Sequence, residues 1–134
     1  HNVYNEIQSG GAVFTDEAYT IWGANTVAAL FLRSSVTSRP NKKRIITDAG
    51  WKTLPGWIVN PKPIKLNEVE SVSMSSEHGV IKLNQENSSF QQGNNLDYQV
   101  GYGDATVFLH ENLYGVRDGI LESIWSIQGR GKYT

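Results

Sequence analysis

Between Leu96 and Tyr102 the chain alternates residue by residue: Leu96, Tyr98, Val100 and Tyr102 occupy one set of positions, Asp97, Gln99 and Gly101 the other. Only an extended strand, whose side chains point to opposite faces with a period of two, turns that pattern into one buried and one solvated face. The same texture recurs. Thr26 to Arg39 is apolar in its first half and rich in β-branched residues in its second; Pro40-Asn41-Lys42-Lys43 reads as a turn, and Arg44 to Asp48 returns as the other arm of a hairpin. Val69–Met74 and Val80–Leu83 read as strands joined by the tight polar connection Ser75–Gly79, and Thr106–Leu109 reads as a further strand. Leu113–Arg117 and Ile120–Ile127 flank Asp118-Gly119, a dipeptide suited to the positive φ angles of a two-residue hairpin turn. In the last strand, Leu121, Trp125 and Ile127 are expected on one face and Glu122 and Ser126 on the other.

Other segments break the pattern. Gly50–Leu66 carries Pro55, Pro61 and Pro63 and reads as an irregular crossover rather than a central strand. Asn84–Asn95 is polar and reads as a solvated loop, and only Thr15–Ala24 suits a turn of helix. The expected fold is all-β: a compact antiparallel β sandwich or barrel of about seven to nine short strands, with residues 1–134 forming one domain.

Composition removes several kinds of chemistry. There is no cysteine, which excludes disulfides, zinc–thiolate sites and cysteine nucleophiles and fits a reducing, cytoplasmic setting. Twelve basic and thirteen acidic residues leave a net charge of -1, without the basic footprint of a nucleic-acid binder. No apolar run approaches the roughly twenty residues of a membrane span. Gly-x-Ser-x-Gly and the phosphate-binding Gly-x-x-x-x-Gly-Lys-Ser/Thr are both absent. The start His1-Asn2-Val3-Tyr4 has neither an initiator methionine nor the form of a signal or transit peptide, so the expectation is a fragment, a processed product or part of a longer protein.

A few residues suit site chemistry, each with a plainer structural reading. His78, beside Glu77, suits either a surface turn or a site. His110, placed late in an apolar strand next to Glu111, cannot pair with its neighbour on one ion, because adjacent strand residues face opposite ways. Asp48 and Asp104 stand at strand ends, where a carboxylate serves as ligand, cap or acid–base group. Gly101-Tyr102-Gly103, with no helix expected after it, reads as a strand bend or bulge, and Gly129-Arg130-Gly131 as a turn or partner contact. His1 is terminal and uninformative.

Taken in order, these landmarks form a series: Asn5-Glu6-Ile7-x-x-Gly10, Phe14-x-Asp16, Val36-Thr37-Ser38-Arg39-Pro40, Asp48-Ala49-Gly50-x-Lys52, Ser75-x-Glu77-His78-Gly79, Asp104-x-Thr106-Val107-x-Leu109-His110, Val116-Arg117-Asp118-Gly119, Trp125-x-Ile127 and Gly129-Arg130-Gly131. Across nearly the whole chain the series resembles the C-terminal β domain of the D-threonine aldolase and D-serine dehydratase family. The resemblance implies a fold-type III pyridoxal-phosphate lyase laid out like alanine racemase. In it a β/α barrel holds the cofactor on a Schiff-base lysine, and a second subunit pairs head to tail, so that the β domain walls the active site. On that layout the cofactor anchor lies outside this chain. Lys42, Lys43, Lys62, Lys65, Lys82 and Lys132 sit in turn, proline-rich, alternating or terminal contexts, and Lys52 matches a β-domain position.

The resemblance also implies a divalent ion, manganese or zinc, held by a His-x-Cys or His-x-Asp pair. That pair falls on Tyr102-Gly103-Asp104, so Asp104 is kept while Tyr102 stands at the histidine position; a neutral phenol is a poor ligand at pH 7, and the site is expected to be weakened or lost. His110 aligns with a separate histidine and is a weaker substitute. Glu77 and His78 fall on a segment that the resemblance places toward the catalytic cleft. The implied function is one domain of a D-amino acid aldolase or dehydratase, not competent for catalysis by itself, whose partners are the barrel, a second subunit and a D-amino acid substrate. Two readings of other kinds are a freestanding interaction or ligand-binding module, and a glycan-binding sandwich suggested by four tryptophans and six tyrosines, aromatics that in a domain of this size are mostly core.

Overall fold

The computed structural model describes residues 3–6 and 8–132; His1 and the Ile7 landmark lie outside the described residues. A short 3₁₀ turn, Gly10–Val13, and helix α1, Glu17–Ile21, precede the strands β1 (Phe31–Asn41), β2 (Arg44–Thr47), β3 (Lys62–Pro63), β4 (Val69–Met74), β5 (Gly79–Leu83) and β6 (Asn95–Gln99). Helix α2 (Gly103–Val107) and the hairpin β7 (Asn112–Arg117) and β8 (Ile120–Ser126) complete the chain. The expected all-β antiparallel architecture is present: a nearly closed, barrel-like six-stranded sheet of order β3-β6-β1-β2-β5-β4, with β7 and β8 as a separate two-stranded sheet.

The eleven-residue β1 makes this curvature. Its first half, Phe31–Ser35, pairs with β6, and its second half, from Val36, pairs with β2 across two register shifts. Such bulges bend a strand and sharpen its twist, which lets one strand serve both sides of a curling sheet. Pro40 falls within the second shift, between the Ser38 and Asn41 pairs, so the turn is Lys42-Lys43 alone, and the Asn41 side chain accepts from the Lys43 N–H. Alternate residues point inward: Val36, Ile45, Ile81, Leu83, Leu96, Tyr98 and Val100 are buried together with Leu54 from the crossover. Hydrophobic burial on this inner face is the dominant stabilising term, roughly 1.5–3 kcal/mol for each large side chain.

Five sequence expectations need correction. Thr106–Leu109 is not a strand, because α2 occupies Gly103–Val107 and is followed by a turn. The hydroxyl of its β-branched Thr106 is satisfied within the helix by donating to the Tyr102 carbonyl one turn back at 2.9 Å. His110 therefore follows a helix rather than ending a strand, and the Gly101-Tyr102-Gly103 bend does lead into a helix. The strand expected to begin at Thr26 begins at Phe31. In the last hairpin, Asp118 and Gly119 adopt φ of 51° and 79°, as the turn requires. A register shift between Gly115 and Val116, however, pairs Val116 with Leu121, while Leu113 pairs with Trp125. Cross-strand partners share a face, so Leu121 joins Tyr114, Val116 and Ile124, and Trp125 takes the opposite side.

Candidate functional site

Because neighbouring strands are antiparallel, β2, β4 and β6 run the same way, and their C-terminal ends lie on one rim of the sheet. Asp48–Lys52 follows β2, Ser75–His78 follows β4, and Tyr102–Asp104 follows β6. Three landmarks far apart in sequence thus converge at this rim, and the crossover after Gly50 runs between them.

The first junction is backbone on backbone. Trp51 N–H donates to the Ser75 carbonyl at 2.7 Å and Lys52 N–H to the Ser76 carbonyl at 3.1 Å. A Cβ on Gly50 would stand 2.7 Å from Glu77 Cα and closer still to the Glu77–His78 peptide bond, so glycine is the residue that permits this approach. The 75–78 turn is closed by Ser75 N–H donating to the His78 carbonyl at 2.9 Å. Glu77 points outward and pairs with Lys52 in an exposed ion pair. His78 is exposed and lines an open depression of about 510 Å³ with Thr37, Ser38, Ile46, Ser75 and Val80. Below this junction the buried Tyr98 hydroxyl meets Thr47 Oγ1 at 3.1 Å; burial pushes the Tyr98 phenol up to about 12.

The second junction surrounds Tyr102. Its hydroxyl donates to Asp104 Oδ2 at 3.1 Å, and the carboxylate that accepts this proton raises the phenol's pKa above its ordinary value. Trp57 from the crossover meets the Tyr102 ring edge-on, with centroids 5.5 Å apart. The buried Asp16 holds the backbone beneath: one carboxylate oxygen accepts from Tyr19 N–H and caps α1, and the other accepts from Gly103 N–H. Val100 and Gly101 carbonyls accept from Glu17 and Ala18 at 2.9 and 3.0 Å, so the first turn of α1 is bound to the segment leaving β6. The sequence reading passed over Asp16 as a site-building residue. An aspartate just before Glu17-Ala18 is a recognisable helix cap, but its bond to Gly103, 87 residues away, leaves no local trace.

His110 is placed apart from these groups: its ring Nε2 lies 2.8 Å from the Thr53 carbonyl, which pins the start of β7 to the crossover. Of the singled-out residues, the structure joins Tyr102 to Asp104 and leaves Asp48, Glu77, His78 and His110 in separate contacts of their own, Asp48 Oδ1 accepting from the Ser35 N–H at 2.8 Å. Among the described residues no three His, Cys, Asp or Glu side chains converge as a metal would need.

Residues 29–116 match the family model described as the putative serine dehydratase domain. The chain belongs to that family. It is 32% identical over 136 residues to a D-threonine aldolase of an Arthrobacter species, a match covering 96% of this chain and 35% of that protein. It is 29% identical over 139 residues to a 3-hydroxy-D-aspartate aldolase of Paracoccus denitrificans, covering 97% and 35% respectively. The crystal structure of D-threonine aldolase from Filomicrobium marinum superimposes with a TM-score of 0.91 at 27% identity, over 99% of this chain and 38% of that one. An alanine racemase-like protein from Idiomarina loihiensis shares the fold, with a TM-score of 0.67 at 22% identity over 84% of this chain and 35% of that one. The chain thus spans about a third of the length of the relatives it matches. Among the described residues no helix is long and apolar enough to cross a membrane.

Proposed function

We propose that this chain is the C-terminal β domain of a longer, cytoplasmic, pyridoxal-phosphate-dependent lyase that cleaves or dehydrates a β-hydroxy D-amino acid. Within that enzyme the domain walls the active site with the rim that carries Tyr102 and Asp104 and contributes to dimerisation. The observation that carries this reading is the superposition of nearly the whole chain on about two-fifths of a D-threonine aldolase. The curated relatives act, by their names, on D-threonine and 3-hydroxy-D-aspartate, both amino acids with a hydroxyl one carbon from the α-carbon.

The residues of this chain do not fit the cofactor's covalent anchor. A Schiff-base lysine must be desolvated or set beside other cations to be nucleophilic at neutral pH. All seven lysines here are exposed, and the two at the rim, Lys52 and Lys62, each pair with a carboxylate, Glu77 and Glu17 respectively. The anchor therefore belongs to the rest of the enzyme, and no chemical step is assigned to the cofactor on this chain. The surface is suited to burial against a larger body: Tyr114, Val116, Leu121 and Ile124 form one apolar face of the β7–β8 hairpin, each more than half exposed.

The test is made on the intact polypeptide. Supplied with pyridoxal phosphate, it should release glycine and an aldehyde from D-threonine, or ammonia and a keto acid from D-serine, and borohydride should fix the cofactor on a lysine outside residues 1–134. A trapped pyridoxyl group on any of the seven lysines of this chain, located by peptide mass spectrometry, would refute the division of labour.

A further inference from the structure

Tyr102 and Asp104 are held more firmly than a surface tyrosine and aspartate need to be. Asp16 fixes Gly103 between them, the Thr106 hydroxyl fixes the Tyr102 carbonyl, and Trp57 abuts the Tyr102 ring. Two β-branched residues flank this arrangement in the left-handed region: Thr15, next to Asp16, at φ 44°, and Ile58, next to Trp57, at φ 64°. Bulky residues avoid that region, and where they persist in it they tend to cluster at sites that the surrounding structure over-determines. Asp104 nonetheless stays open to solvent, and among the described residues its Oδ1 accepts no hydrogen bond.

These are the positions that the family resemblance equates with a metal-binding pair, and the donors present do not suit a divalent ion. Zinc takes four nitrogen, sulfur or oxygen ligands, and harder cations take six or more oxygens. Tyr102 offers a neutral phenol whose proton is committed to Asp104. Both oxygens of Asp16 are occupied by backbone N–H groups, and His110 Nε2 is engaged at Thr53. Asp104 is exposed, and among the described residues its Oδ1 is unbonded, so this carboxylate is able to face a ligand.

We propose that Tyr102 and Asp104 form a metal-free phenol–carboxylate site that binds the hydroxyl group of a small ligand, with Asp104 Oδ1 accepting the ligand's O–H while Tyr102 Oη orients the carboxylate through Oδ2. Resting on the function proposed above, that ligand hydroxyl is the β-hydroxyl of the amino acid.

The intact polypeptide, stripped of metal with EDTA, is titrated calorimetrically with MnCl2 and separately with ZnCl2 as the wild type, Tyr102→His and Asp104→Asn. The wild type should show no stoichiometric site that depends on Asp104, and Tyr102→His, which supplies a nitrogen beside the carboxylate, should bind at least about 10-fold more tightly than the wild type. One equivalent bound tightly by the wild type and lost in Asp104→Asn overturns the proposal, as does a Tyr102→His protein with a native circular dichroism spectrum and unimproved binding. In metal-free turnover, Asp104→Asn and Tyr102→Phe should each raise KM for a β-hydroxy D-amino acid by about 10-fold or more, the cost of weakening or losing a charge-assisted hydrogen bond, with a smaller change in kcat. An unchanged KM in both variants overturns the assignment of the ligand. Absence of turnover on every β-hydroxy D-amino acid defeats the proposed function, while the titration still decides for or against the metal-free dyad.

Discussion

Gly50→Ala is the sharpest probe of the rim. The added methyl group would penetrate the Glu77–His78 peptide bond and come within 2.7 Å of Glu77 Cα, and all of these are backbone atoms that no rotamer change can move aside. The 48–52 and 75–78 segments must then separate, at an overpacking cost of about 1–3 kcal/mol. Separation also breaks the bonds from Trp51 N–H to Ser75 and from Lys52 N–H to Ser76, each worth about 1 kcal/mol net. The exposed Lys52–Glu77 pair adds little. The total is about 3–5 kcal/mol. With an unfolding entropy of about 2 cal/mol/K per residue for this chain length, the melting temperature should fall by about 11–18 °C. Differential scanning calorimetry measures it, with Gly10→Ala as control, since no atom lies within 4 Å of a Cβ there. A Gly50→Ala protein melting within about 3 °C of the control would show that the two segments are not locked together through their backbones.

Two further variants follow from the buried polar contacts. Tyr98 titrates near 12 in the folded chain against an ordinary value of 10, so its contribution is intact below pH 10 and is lost as pH rises toward 12, on the order of 2–3 kcal/mol; Tyr98→Phe should abolish that part of the alkaline destabilisation in denaturant melts, and an unchanged slope of stability between pH 10 and 12 would refute it. Asp16→Ala removes the cap of α1 and leaves the Gly103 N–H without its acceptor; the expected loss is about 2–4 kcal/mol by urea denaturation, and a loss under about 1 kcal/mol would mean that water or a neighbour replaces the carboxylate.

What the sequence disclosed and what it hid divide along a physical line. Local periodicity identified the inward face of β6, since Leu96, Tyr98 and Val100 are all buried, and local turn chemistry identified Asp118-Gly119. Proline content correctly marked the crossover, where only the two residues of β3 join the edge of the sheet. The errors arose where tertiary contacts overrule local preference. Thr106 and Val107 have strand-favouring side chains, yet Gly103 at the head of that segment is claimed by Asp16, and Tyr102 carries its chain into a helix. The face of Leu121 was misjudged because a one-residue register shift, invisible in a count by twos, moves it to the other side of the hairpin. Tyr102 and Asp104 were paired through the family resemblance and not by any local pattern, and Asp16, Trp57 and the strained Thr15 and Ile58 reach them from distant parts of the chain.

That division bears on how such a site changes chemistry. Alongside the Asp16 and Thr106 side chains, backbone contacts position the rim. Gly101 lies against the Val59 carbonyl and the Asn60–Pro61 peptide, Gly50 lies against the 75–78 turn, and α1 is tied through Val100 and Gly101 carbonyls. Backbone contacts of this kind place residue 102 whatever side chain it carries, because they involve none of its side-chain atoms. The side chain at position 102 can therefore vary without moving the backbone that carries it, and the chain superimposes on a D-threonine aldolase at a TM-score of 0.91 with 27% identity. The general lesson is that similarity of fold here reports on the backbone scaffold, and the chemistry has to be read from the few side chains standing on the rim.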